Sequence, residues 1–148
     1  MIISTSGFCN DREMASGSSW SSQPSSNMFY KAYERLELNK TPTFDCINTN
    51  DLYQTKIGLI TADEVAYAGG KLSTANYGYY LYTGNYYWTI SPEYFASRGY
   101  AGVYGVGDAG YLLDYYVSMA FGVRPVINLS SNVTVTGSGT IADPYIVN

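Results

Sequence analysis

The sequence predicts an α+β domain, with two short helices in its first half and a mainly antiparallel sheet in its second. Three observations carry that prediction. Phe29, Tyr33 and Leu36 recur at spacings of four and three, which places them on one helical face. Thr61 and Glu64 have the spacing of a capping box, in which each side chain satisfies an amide that the first helical turn leaves without a partner. From Tyr77 onward, apolar and aromatic runs alternate with glycine-containing turns, the pattern of strands joined by hairpins.

Taken in order, residues 16–27 are dominated by serine and read as a flexible loop with Trp20 as its one aromatic anchor. The first helix keeps Lys31, Glu34, Arg35 and Glu37 outside its apolar stripe. Asn39 is its expected C-terminal cap, and Pro42 prevents continuation. Residues 57–60 predict a short strand that feeds the second helix, which Gly69-Gly70 ends. Asp63 and Glu64 are adjacent acids at that helix start, and capping accounts for both. Residues 77–82 and 86–90 are expected to pair about Thr83-Gly84-Asn85, and residues 103–106 and 111–117 about Gly107-Asp108-Ala109-Gly110. Residues 123–129 are apolar apart from Arg124, Pro125 and Asn128. Residues 133–136 and 145–147 close the chain about Gly137-Ser138-Gly139.

The 148 residues are expected to form one domain, with enough apolar content (46%) to bury a core. A net charge of −4 argues against a nucleic-acid partner, which needs clustered Lys and Arg. No run approaches the roughly 18 apolar residues of a membrane span, so this segment is not expected to insert directly into a membrane. Met1-Ile2-Ile3 lacks the basic and apolar regions of a secretory leader, and the expectation is a domain excised from a longer surface protein. Seventeen tyrosines and no histidine set the functional tone. Tyrosine offers a rigid, amphipathic face with a polar tip, at low entropic cost on ordering. Without histidine the commonest triads and imidazole metal sites are excluded. The competing reading is that many of these tyrosines fill a β-rich core. Cys9 and Cys46 are the two thiols. Paired, they would close a loop of nearly forty residues, stabilise the fold by roughly 3–4 kcal/mol and imply an oxidising, extracellular setting. Two buried thiols are the alternative.

Two strings, Tyr87-Trp88-Thr89-Ile90-Ser91-Pro92 and Gly122-Val123-Arg124-Pro125-Val126-Ile127-Asn128-Leu129, resemble a family of uncharacterised bacterial surface domains with a Trp-x-x-Ser-Pro segment followed by a Gly-Val-Arg-Pro strand. Gly7-Phe8-Cys9-Asn10-Asp11-Arg12, the stretch Ile57-Gly58-Leu59-Ile60-Thr61-Ala62-Asp63-Glu64-Val65 and the C-terminal residues extend the resemblance to most of the chain. That family is similar to the C-type-lectin-like fold of formylglycine-generating enzymes and of diversity-generating-retroelement variable proteins. The resemblance implies a lectin-like domain in which Trp88 and Arg124 are scaffold. It places ligand contacts just upstream of the Gly-Val-Arg-Pro element, at Tyr94, Arg98, Tyr100, Tyr104, Asp108, Tyr111, Asp114, Tyr115 and Tyr116. Arg124, between apolar neighbours, is expected to be buried only if its guanidinium meets backbone carbonyls or a carboxylate.

Formylglycine-generating activity in such relatives depends on cysteines in the C-terminal part, and no cysteine follows Cys46. The resulting expectation is a non-catalytic module, extracellular or at the cell surface, that binds a glycan or protein ligand through a tyrosine-rich surface. No cofactor or metal is expected; calcium is the one cation that lectin-like folds commonly hold. The alternatives are a structural or interaction domain of a pilin-like or other anchored protein, and a glycoside hydrolase working through two carboxylates, for which Asp108 and Asp114 are the candidates.

Overall fold

The computed structural model describes residues 6–20, 24–46, 52–96, 98–140 and 142–148; Met1-Ile2-Ile3 and residues 21–23 of the serine-rich loop lie outside the described residues. The chain is α+β. In order it forms β1 (Ser6–Cys9), β2 (Met28–Phe29), α1 (Lys31–Tyr33) running into a wider π-helical stretch (Glu34–Asn39), β3 (Leu52–Thr55), β4 (Gly58–Leu59) and α2 (Ala62–Tyr67). Seven strands follow: β5 (Lys71–Leu72), β6 (Tyr87–Phe95), β7 (Ala101–Val106), β8 (Tyr111–Tyr116), β9 (Pro125–Val126), β10 (Val135–Thr136) and β11 (Ile146–Val147).

A five-stranded sheet in the order β2-β6-β7-β8-β5 is the body of the molecule, antiparallel except for the β5–β8 pair. Its inner face carries Tyr87, Thr89 and Ser91 of β6, Tyr104 and Val106 of β7, and Leu112 of β8, all buried. Both helices pack on that face through Ala32, Leu36, Ala62 and Val65. The strict burial alternation along β6 is what one covered sheet face requires. Pro92 sits within β6, where the register against β7 shifts on either side of it. A residue without an N–H is tolerated in a central strand at such bulges.

The capping box forms as its spacing requires: Thr61 Oγ1 accepts from the Glu64 amide at 3.1 Å, and Glu64 Oε2 accepts from the Thr61 amide at 2.7 Å. Asp63 plays no part in it. Its carboxylate turns to Arg35, so capping explains one of the two adjacent acids and ion pairing the other. At the end of the first helix Lys40, not Asn39, takes the left-handed capping conformation (φ 55°), because the widened π-helical turns carry the helix through Asn39.

The hairpin about residues 107–110 joins β7 to β8 as expected, and the closing hairpin pairs β10 with β11. The expected hairpin about residues 83–85 does not form. Burial alternates only from Gly78 to Tyr82, and Asn76 diverts the backbone: its side chain accepts from the Gly78 amide at 3.1 Å and donates to the Gly69 carbonyl at 2.6 Å. A turn follows, with the Tyr82 amide bonded to the Tyr79 carbonyl. Of residues 123–129, Pro125 and Val126 form β9 and pair with β4, and Leu129 makes an isolated bridge. The β1–β3 pair had no clear periodic signal; the last residue of β1, Cys9, is also bridged to Cys46, ahead of β3 (Cα–Cα 5.3 Å).

Gly110 adopts φ +76°, and a Cβ there would overlap the Asn76 carbonyl oxygen. Gly99 has a similar φ of +75° but open space around it. Gly110→Ala is expected to lower stability by more than about 2 kcal/mol, and Gly99→Ala by only about 1 kcal/mol, in paired urea titrations. Equal losses would mean that backbone strain alone, not the packing of residue 76 on the hairpin, sets the cost.

Candidate functional site

The nine residues expected to contact ligand are distributed by the sheet over three places. Tyr94, Tyr100 and Tyr116 gather around Gly102, with Tyr100 and Tyr116 rings 5.3 Å apart and both exposed. Burial, then the neighbouring Tyr116, pushes the Tyr94 hydroxyl up to about 12. Arg98 is exposed in the β6–β7 turn. Tyr111 and Tyr115 lie on the outer sheet face with Tyr86, Trp88 and Phe121. The hydroxyl of Tyr86 faces Tyr111 and then Asp108, which together push it up to about 12. Phe121 fills the middle of this group, 4.5 Å from Trp88 and 4.7 Å from Tyr115. It is held there by the Gly122 amide bonded to the Tyr86 carbonyl and the Gly122 carbonyl to the Trp88 amide. Arg124 is half-buried; it donates to the Leu81 carbonyl at 2.6 Å and lies over the Tyr87 ring.

Tyr104 and Asp114 occupy the third place, the inner face. Tyr104 has no exposure and cannot present its ring to a ligand, which corrects its inclusion among the contacts. Its hydroxyl donates to Glu37 Oε1 at 3.0 Å. Glu93, only 6% exposed, brings a third carboxyl to the same spot, within hydrogen-bonding reach of Asp114 and Glu37. Burial first, then the charges of Asp114 and Glu37, pushes Glu93 up to about 9. Its Oε2 would have no partner as a carboxylate; as a neutral acid it donates to a neighbouring carboxylate and is satisfied. Asp108 and Asp114 therefore do not converge: one is exposed in the hairpin turn, the other faces the helices. The carboxyls that do meet are in contact, closer than the separation of about 5–9 Å that glycoside hydrolysis uses.

A different region has the shape of a binding site. A cleft of about 600 Å³ opens between the disulfide-linked N-terminal segments, α2 and the β4–β9 pair. Its floor is a buried ion network: Arg35 Nη2 contacts Asp11 at 2.9 Å and Asp63 at 2.7 Å, and Nε contacts Asp63 at 2.8 Å. Burial raises the Asp11 pKa, against the pull of Arg35 and of the Ser91 hydroxyl. The Cys9–Cys46 bridge lines one side. Phe44 and Tyr67 stand at the rim as a stacked pair, centroids 4.2 Å apart and planes 16° from parallel. Both are more than half exposed, as is Tyr80. Tyr67 is fixed by its hydroxyl, which donates to the Pro42 carbonyl at 2.7 Å, and the segment carrying Phe44 by the Thr43 amide, bonded to Asp63 at 3.0 Å.

Volume, apolar plates and a few oriented polar groups are the ordinary composition of a small-ligand site. The sequence reading passed over it. Two signals were present: Asp63 and Tyr67 lie one helical turn apart and so share a face, and Phe44 and Asp45 immediately precede Cys46. Among the described residues no group of three or more His, Cys, Asp or Glu side chains is arranged to hold a metal ion, and no helix is long and apolar enough to cross a membrane.

Because folded Glu93 keeps a proton that the unfolded chain releases above about 4.5, stability falls as pH rises from about 4.5 to about 9, by at most roughly 1.4 kcal/mol per pH unit. Glu93→Gln, which keeps a donor, is expected to remove that slope and to be more stable than the parent at pH 8, with the difference shrinking towards pH 4. Denaturant midpoints across this range test it; a pH-independent difference would refute the assignment.

Comparison with protein-family models, curated proteins and solved structures found no match to this chain.

Proposed function

We propose that this chain is a non-catalytic recognition module of the C-type-lectin-like kind, acting outside the cell and binding a glycan in the cleft bounded by Phe44, Tyr67 and Tyr80. The observation that carries the reading is the stacked, solvent-facing Phe44–Tyr67 pair beside oriented carboxylates in a cleft of about 600 Å³. Sugar C–H faces stack on such plates, and carboxylates accept hydroxyl hydrogen bonds. The Cys9–Cys46 disulfide is compatible with an oxidising compartment. The divergence of Asp108 from Asp114 favours a binder over a two-carboxylate hydrolase. The exposed group of Tyr94, Tyr100 and Tyr116, with Arg98 in the adjoining turn, offers a second contact area on the same module.

One observation favours the alternative of a structural or interaction domain in a longer surface protein. Val135, Tyr145 and Ile146 expose apolar side chains on the β10–β11 hairpin, a surface that a neighbouring domain would cover.

Glycan-array binding by the intact protein and by two variants separates these readings. Phe44→Ala is expected to weaken binding at least about ten-fold, the scale of losing one aromatic contact of 1.4 kcal/mol or more. Tyr100→Ala tests the second area. Loss only in Tyr100→Ala would move the site to the β6–β7 end of the sheet, and no glycan binding by the parent would favour the structural reading.

A further inference from the structure

The lining of the cleft has a charge imbalance that the glycan reading does not require. Asp11, Asp45, Asp63 and Glu64 contribute four carboxyl groups, and Arg35 is the one basic side chain among the described lining residues. Arg35 is already engaged by Asp11 and Asp63, which neutralises the floor in part and leaves no cation for the other two acids. The Asp45 carboxylate is exposed and has no protein partner among the described residues. Glu64 spends Oε2 on the Thr61 amide and hydroxyl, leaving Oε1 without a hydrogen bond among the described residues. Two carboxylates, Asp45 and Glu64, thus line the cleft of the Phe44–Tyr67 pair with no cation paired to them among the described residues.

The arrangement of the plates narrows the ligand further. Rings that box an ammonium group surround it on several sides. Phe44 and Tyr67 are instead stacked on each other, 16° from parallel, so each covers one face of the other and an outer ring face is left to stack on another ring. We infer that the cleft selects an oligosaccharide bearing free amino groups, its pyranose face on an outer face of the Phe44–Tyr67 pair and a protonated amine paired with Asp45 and Glu64. The inference rests on the recognition reading and names its ligand class.

The test is calorimetric titration of the intact protein with a β-1,4-linked glucosamine hexamer, its fully N-acetylated counterpart and a lysine hexapeptide. The glucosamine oligomer is expected to bind about ten-fold or more tightly than the acetylated one, as one charge-assisted contact of 1.5–3 kcal/mol implies, with affinity falling as salt rises. The double variant Asp45→Asn, Glu64→Gln should erase that preference without lowering the melting temperature, because Gln retains the helix cap. Phe44→Ala should weaken both sugars equally. Equal binding of the two sugars by the parent would overturn the amine assignment and leave the recognition reading standing. Tighter binding of the peptide than of either sugar would replace the saccharide by a basic protein segment. Binding of none of the three would overturn both the inference and the recognition reading at this cleft.

Discussion

The Arg35 guanidinium draws together two carboxylates that are 52 positions apart in the chain, Asp11 at 2.9 Å and Asp63 at 2.7 Å, and the positions of four segments follow. Asp11 belongs to the N-terminal segment beyond β1, Arg35 to the π-helical stretch, and Asp63 to the first turn of α2. Thr43 donates its amide to the same Asp63 carboxylate, which adds the loop before Cys46. Ser91 ties the group to the sheet, since its hydroxyl accepts from the Ala62 amide and faces Asp11. Burying a guanidinium and two carboxylates carries a large desolvation cost that only dense mutual pairing offsets. The network's geometry satisfies Arg35 Nε and Nη2, while Nη1 is buried without a hydrogen-bond partner among the described residues. The cleft inherits its floor, and hence its shape, from that geometry.

The aromatic residues divide between two tasks along the same principle of one covered and one open sheet face. On the inner face, Tyr87 and Tyr104 are core, and each hydroxyl reaches an acceptor, the Leu81 carbonyl and Glu37. Buried tyrosine needs such a partner, so these positions fix polar neighbours as well as volume. On the outer face, Trp88, Tyr86 and Tyr115 are covered by Phe121 from the segment after β8 rather than by a helix. The rim aromatics of the cleft belong to neither face. Phe44 and Tyr67 come from a loop and from α2, outside the tyrosine-rich half that supplies Tyr80, and they stack where the disulfide and the Thr43–Asp63 bond hold that loop against the helix.

The meeting of Glu37, Glu93 and Asp114 beneath the helix shows a polar group costing stability where the fold places it. Glu93 alternates with Thr89 and Ser91 to face inward, where burial and then the charges of Asp114 and Glu37 favour a carboxyl that retains its proton. The π-helical widening at Glu34–Asn39 accompanies this cluster, since Glu37 lies within it and receives the Tyr104 hydroxyl. Wider turns of this kind recur where a helical side chain must be redirected.

Local rules were enough for much of the fold. The α+β class, the capping box at Thr61 and Glu64, the hairpin about residues 107–110 and the closing β10–β11 pair each depend on interactions within a few residues, and those are written in sequence spacing. The carbonyl contact of Arg124 matches the partner its sequence setting called for, although the side chain is only half-buried and Val123 beside it is exposed. Residues 77–82 carried the aromatic content of a strand beside a turn, which the Asn76 side chain overrode, a contact that spacing does not encode. The partner of Asp63, the burial of Tyr104 and the assembly of Phe44, Tyr67 and Tyr80 around one cleft were decided only by tertiary structure. They join segments tens of residues apart, and which acid meets which cation there depends on how the whole sheet and both helices pack, not on any local pattern.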